Sequence, residues 1–135
     1  MCGIVGYVGP KKAMPVLIKG LKRLEYRGYD SSGIAMLTGS GLMVAKSAGK
    51  IKKLEETLSG NSMESTHGIA HTRWATHGEP TQLNAHPHTD EKQEIALVHN
   101  GIIENYRTLR EFLVQKGYEI KTETDTEILV HLIRF

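Results

Sequence analysis

Apolar positions along the chain fall into short runs and helical stripes separated by polar punctuation. "CGIVGYV" (2–8) is an apolar, β-branched run closed by Gly9-Pro10, which predicts a buried strand. Met14, Leu17, Leu21 and Leu24 then recur at helical spacing and predict an amphipathic helix over 11–27, with Pro15 confined to its first turn. "RGYDSSG" (27–33) breaks the pattern as a loop. "GIAMLT" (33–38) and "LMVAKS" (42–47) flank Gly39-Ser40-Gly41, a hairpin signature, and a short helix is expected over 51–58. "GIAHTRW" (68–74) and "EIALVHNG" (94–101) read as two more strands. The long polar stretch 75–92 between them holds Pro80 and Pro87, and a loop that long is usually functional or disordered. Ile103, Tyr106, Leu109 and Leu113 mark one face of a helix over 103–116, stopped by Gly117. "YEIKTE" (118–123) is a strand expectation. "TDTEILVHLIRF" (124–135) opens a last helix, with Thr124 or Asp125 as N-cap and Glu127 just behind it.

The order β-α-β-β-α-β-β-α-β-α, with hairpin strands between helices, predicts an α+β fold with largely antiparallel sheet. A chain of 135 residues fits one domain with a real core. It stops inside an apolar helix at Phe135, so a truncated domain is expected. The net charge is +2 and both signs are mixed, which gives no reason to expect nucleic acid or a membrane as partner. The basic run "KSAGKIKK" (46–53) reads as the solvated entry of a helix. No apolar run approaches the ~20 residues of a spanning helix, no secretory signal opens the chain, and one cysteine allows no internal disulfide. A cytoplasmic protein with a free thiol is the expectation.

That cysteine, Cys2, stands directly behind the initiator methionine. On spacing alone it reads as a small buried hydrophobe. Yet a small residue at this position permits removal of Met1, and the sulfur would then sit on the N-terminal residue. A free α-amine titrates at about 7.7–8.0 and can take and return a proton, so nucleophile and base share one residue. Gly3 would keep backbone bulk away from the attacked carbon. "HNG" offers Asn100 through its side-chain amide and Gly101 through a backbone N–H at a helix entrance, both suited to a developing oxyanion; a plain strand-to-helix turn reads equally from these residues. In "HTRWATHGEP", Arg73 suits bidentate capture of a carboxylate, Trp74 could wall a methylene chain, and Thr76 and His77 could add hydrogen bonds. Asp125 would receive an ammonium or merely cap its helix. His71, His77, His86, His88 and His99 crowd one region, but no second cysteine or H-E-x-x-H pattern supports a metal. These imidazoles are expected to hydrogen-bond within the long loop and orient its neighbours. A non-catalytic amino-acid-binding or partner-binding module and a thiol redox sensor are the alternatives; the sensor lacks a resolving cysteine.

Taken together, "MCGIVG", "LEYRGYDSSG", "GIAHTRWATHGEPTQLNAHPH", "VHNGIIENY" and "TETDTE" resemble the glutaminase domain of the glutamine–fructose-6-phosphate aminotransferases, a branch of the class II glutamine amidotransferases. The resemblance runs from Met1 to Phe135 and implies an N-terminal-nucleophile hydrolase fold, a four-layer αββα sandwich, incomplete at its C-terminus. It implies that Cys2 attacks the γ-amide of L-glutamine, that Asn100 and Gly101 form the oxyanion hole, and that a γ-glutamyl thioester is then hydrolysed. It implies that Arg73 clamps the substrate carboxylate with Thr76 and His77 nearby, and that Asp125 meets the α-ammonium. Trp74 would order over the substrate, and Arg27 would support the nucleophile's surroundings. No cofactor or metal is implied. Fructose 6-phosphate is implied as a partner only through a synthase half beyond Phe135, with a homo-oligomer as the full-length state. The isolated chain is expected to be inactive.

Overall fold

The computed structural model describes residues 1–61, 64–75 and 78–135. Strand β1 (Gly3–Val8) leads into α1 (Ala13–Leu24), which tightens into a 3-10 turn at Glu25–Arg27. Pro15 lies in the first turn of α1, where its missing N–H costs no helical bond. Strands β2 (Ser31–Thr38) and β3 (Gly41–Ala48) form the expected hairpin, closed by the pair Thr38 and Gly41. Helix α2 (Ile51–Leu58) and strand β4 (His67–Arg73) follow. The four strands make one antiparallel sheet in the order β1-β4-β2-β3.

Alternation decides which face each strand buries. Val5, Tyr7, Ile34, Met36, Met43, Ala45 and Ala70 point to one side. There they pack against Ala13, Leu17, Ile18 and Leu21 of α1 and Ile51, Leu54 and Leu58 of α2. The other side carries His71 and Arg73 of β4 and Gly33 of β2, and the segment 78–100 lies over it. The approach is close: a Cβ on Gly33 would sit 2.1 Å from the His86 carbonyl oxygen. No other residue fits there.

That segment carries a short ladder, β5 (His88–Thr89) with β6 (Ala96–Leu97), and the helices α3 (Tyr106–Gln115) and α4 (Asp125–Arg134) follow it. Helix α4 packs on β5 and β6, and α3 packs on α4. The layers run helix, sheet, sheet, helix, the expected αββα order.

Four sequence expectations are corrected. Ser31 and Ser32 belong to β2 rather than to a loop, because they pair with both Arg73–Thr72 and Ala48–Ser47. The strand expected over 94–101 shrinks to Ala96–Leu97, since β6 has β5 as its one ladder partner among the described residues. The strand expected over 118–123 is absent. The backbone N–H groups of Lys121 and Thr122 donate instead to the Glu127 carboxylate at 2.8 and 2.6 Å, and that of Glu123 donates to Asn84 Oδ1 at 3.0 Å. Glu127, expected just behind the N-cap, is thereby drawn to the preceding segment, and Thr124 holds the N-cap position of α4 without a side-chain cap bond.

Candidate active site

Antiparallel register brings three strand ends to one corner. Gly3 pairs with Thr72, and Arg73 pairs with Ser31, so the start of β1, the end of β4 and the start of β2 meet. Cys2 hangs at this corner beside Trp74. The Trp74 backbone N–H points at Cys2 Sγ at 3.1 Å. The Gly3 N–H donates to Thr72 Oγ1 at 3.1 Å. A Cβ on Gly3 would strike Leu24 of α1 at 2.8 Å, so this glycine serves helix packing rather than access to the sulfur.

A cavity of about 430 Å³ opens at the corner. Cys2, Arg27, Arg73, Trp74, Asn100, Gly101 and Asp125 all line it. Thus seven of the residues singled out in the sequence converge, although they lie up to 123 positions apart (Cys2 to Asp125). Thr76 and His77 lie outside the described residues. Met1, His86, His99, Ile102, Thr124 and Thr126 complete the lining. In the sequence His86 and His99 stand out only as part of the crowded histidine region, with no sign of a pocket role. Ile102 and Thr126 carry no chemical signal beyond adjacency to Gly101 and Asp125, and Thr124 reads only as an N-cap.

Asn100 stands between two partners. Its Nδ2 donates to the Cys2 carbonyl at 3.1 Å, and its Oδ1 lies 2.7 Å from His71 Nε2. Gly101 follows at once, and a Cβ there would meet the His99 ring at 2.9 Å. Helix α3 begins only at Tyr106, so Gly101 is not at a helix entrance as expected. Residues 102–103 are irregular and 104–105 form a turn before the helix.

Arg73 is buried at 3% exposure, and its guanidinium donates to the carbonyls of Glu79 at 2.9 Å and Gly78 at 3.3 Å. Burial lowers its pKa from the ordinary value, with Cys2, Asp30, Asp125 and Glu123 pulling the other way. The segment it grips is also held by Glu123, whose carboxylate accepts from the Glu79 N–H at 3.0 Å and Asn84 Nδ2 at 3.1 Å. Asp30 accepts from the Ala75 N–H at 2.9 Å and so fixes the backbone at Ala75, next to Trp74. Asp125 is buried at the first position of α4, and its Oδ2 accepts from the Ile103 N–H at 2.8 Å. Its carboxylate thus bridges the turn after Gly101 to the cavity wall, rather than capping its own helix. The Arg27 guanidinium lies 3.8 Å from Met1 Sδ, while the Met1 amine donates to the Arg27 carbonyl.

Behind Asn100 lies a stack of buried imidazoles. The rings of His71 and His86 stack at 4.1 Å, and His88 meets His86 edge-on at 4.7 Å. Burial pushes His71 down to about 4, against the opposing effect of the Asn100 hydrogen bond. Burial first, then the charge of Lys46, takes His88 down to about 3. Burial and its histidine neighbours put His86 well below the usual imidazole range. His88 Nε2 shares a hydrogen bond with Thr124 Oγ1 at 2.9 Å. The imidazoles do orient neighbours, but His71 acts from β4 rather than from within the loop.

A corner cavity holding a cysteine at a strand start, an amide and a glycine beside it, and a buried arginine facing a buried aspartate suits amide chemistry on an amino acid. A family profile described as a glutamine amidotransferase domain matches residues 43–134. The chain belongs to that family. Curated relatives named glutamine–fructose-6-phosphate aminotransferase (isomerizing) are 56% identical in Clostridium perfringens and 58% in Bacteroides thetaiotaomicron, covering all of this chain. The chain spans 22% of the length of each. Among solved structures, the glutamine phosphoribosylpyrophosphate amidotransferase of B. subtilis superposes with TM-score 0.83 at 28% identity. It covers 99% of this chain, which spans 29% of that one. A structure described as the allosteric regulatory enzyme of purine biosynthesis gives 0.85 at 30% identity over the same shares. The fold is that of the N-terminal-nucleophile hydrolase amidotransferases.

Proposed function

We propose that this domain hydrolyses L-glutamine to glutamate and ammonia through a thioester on Cys2, after removal of Met1. The observation that carries the reading is the convergence of Cys2, Asn100, Gly101, Arg73 and Asp125 on one cavity. Removal of Met1 frees the Cys2 nitrogen as an amine. That amine takes the thiol proton, and the sulfur attacks the γ-carbon of glutamine. The C–S bond forms and the carbonyl pair moves onto oxygen, where Asn100 Nδ2 and the Gly101 N–H meet it. Collapse of the adduct breaks the C–N bond, and the amine's proton goes to the departing nitrogen to give ammonia. Water then adds to the thioester, the C–S bond breaks, and glutamate leaves with the thiol restored.

Arg73 takes the α-carboxylate and Asp125 the α-ammonium. Trp74, half exposed at the cavity mouth, covers the methylene chain, Thr76 and His77 add polar contacts, and Arg27 lines the nucleophile's side. In the longer protein the ammonia is consumed in aminating fructose 6-phosphate, as the names of the relatives at 53–58% identity suggest. Residues 1–135 belong to the glutamine-handling domain of that protein.

Labelling with 6-diazo-5-oxonorleucine, an electrophilic glutamine analogue, tests this by intact mass. Loss of Met1 with a single adduct abolished by Cys2→Ala is expected. Glutamine bound by Cys2→Ala and ammonia still released would sink the mechanism.

A further inference from the structure

We propose that His71 is the positioning residue for the Asn100 amide, holding it through an Nε2–H donor so that the amide nitrogen faces Cys2 and the reacting carbonyl. This rests on the glutaminase reading above and assigns a part to a residue that reading leaves unused.

The argument starts from what each atom is able to do. The Cys2 carbonyl oxygen only accepts, and it lies 3.1 Å from the Asn100 amide. The atom facing it must therefore be the nitrogen, Nδ2, because an amide oxygen there would set two acceptors against each other. Asn100 Oδ1 then faces His71 Nε2 at 2.7 Å and must receive a proton from it. A neutral imidazole carries one N–H, so the proton is on Nε2 and Nδ1 is bare. That fits the surroundings: His71 Nδ1 is buried with no hydrogen-bond partner among the described residues, and the two contacts that favour a ring proton, the Asn100 side chain and the His99 backbone, both act as acceptors. The relay runs from His71 Nε2–H to Asn100 Oδ1, and from Asn100 Nδ2–H to the Cys2 carbonyl. The second N–H of the same amide group is the one that meets the oxyanion.

The ring has little freedom to turn away. His71 is 0% exposed, sits in the middle of β4 paired on both sides, and is stacked on His86 at 4.1 Å. Without the His71 donor, the amide could rotate and present Oδ1 to the reacting centre, an acceptor where a donor is needed. The loss belongs to the transition state rather than to substrate binding.

His71→Phe keeps a stackable ring and removes the donor, while His71→Gln restores an N–H of similar reach. The longer protein that carries this domain is assayed for ammonia release from glutamine, and the wild type must be active with Cys2→Ala inactive; failure there overturns the glutaminase reading itself. Given that activity, His71→Phe is expected to lower kcat roughly tenfold to hundredfold, with KM for glutamine within about twofold. His71→Gln recovers most of the loss, and His71→Phe adds nothing in an Asn100→Ala background. Unchanged kcat, or an equal further loss in the Asn100→Ala background, overturns the proposal. Imidazole nitrogen shifts of the wild-type protein give an independent measurement that needs no variant. A proton on Nε2 of His71 supports the proposal, and a proton on Nδ1 refutes it.

Discussion

Arg73 shows what one side chain contributes at the residue scale. Its planar fork holds the carbonyls of Gly78 and Glu79 while the residue lines the cavity beside Cys2 and faces Asp125. A lysine keeps the charge but loses the fork, so Arg73→Lys gives up charge-assisted hydrogen bonds worth about 1.5–3 kcal/mol each. We expect glutamine affinity to weaken by a factor of ten or more, measured by calorimetry on a Cys2→Ala background so that no turnover intervenes. An unchanged affinity would make Arg73 a loop anchor alone. The sequence exposes such residues where chemistry is packed into a few neighbouring letters: Cys2 at the chain start, Arg73 and Trp74 in one motif, Asn100 and Gly101 in another. It conceals the parts of His86, His99, Thr124 and Thr126, because each lines the cavity only through contacts between distant segments.

Helix α4 makes the corresponding case for elements. Its Glu127 reaches back over the segment before the helix and accepts from the N–H groups of Lys121 and Thr122, with His131 3.3 Å from the same carboxylate. Local pattern favoured a strand at 118–123, because Tyr118 and Ile120 alternate with polar residues. A strand needs a neighbour, and here a buried carboxylate satisfies the backbone instead. The same logic shortened the strand expected at 94–101 and lengthened β2, whose serines give no apolar signal yet pair on both sides. Elements with an amphipathic face against the first sheet, α1 and α2, were readable because one helix stripe and one sheet face suffice to specify them. Glu127→Gln leaves one acceptor for two strong donors, and should destabilise the fold by about 1–3 kcal/mol in urea unfolding. Amide exchange should quicken at Lys121 and Thr122 first. Equal protection of those amides in the variant would mean the carboxylate is not what holds the segment.

For the molecule as a whole, the imidazole stack sets how stability depends on pH. In the folded chain burial pushes His71 to about 4 and His88 to about 3, and takes His86 below the usual range, while an unfolded histidine titrates near 6.5. As pH falls below 6.5 the unfolded chain therefore binds protons that the folded chain does not take up. The stability held by the neutral rings is fully present above that value and drains away toward about 4. The slope is up to about 1.4 kcal/mol per pH unit for each ring. Carboxylates enter later. Unfolded aspartate and glutamate titrate near ~3.9 and ~4.3, so between pH 6.5 and 5 the slope belongs mainly to the histidines. Asp90 illustrates the later phase: burial opposes its charge, but the N–H groups of Ile95, Glu94 and Lys92, with Arg134, hold its carboxyl below the usual range. Its contribution, present above the unfolded value, is lost only in stronger acid. Urea midpoints should thus fall steadily from pH 6.5 to 5. His88→Gln should reduce that slope by roughly a third, since one of the three stacked rings no longer titrates in the unfolded chain. A midpoint that stays constant from pH 7.5 to 5 would mean the rings exchange protons freely while folded. The packed layer over Gly33 would then have to open to water in the native state.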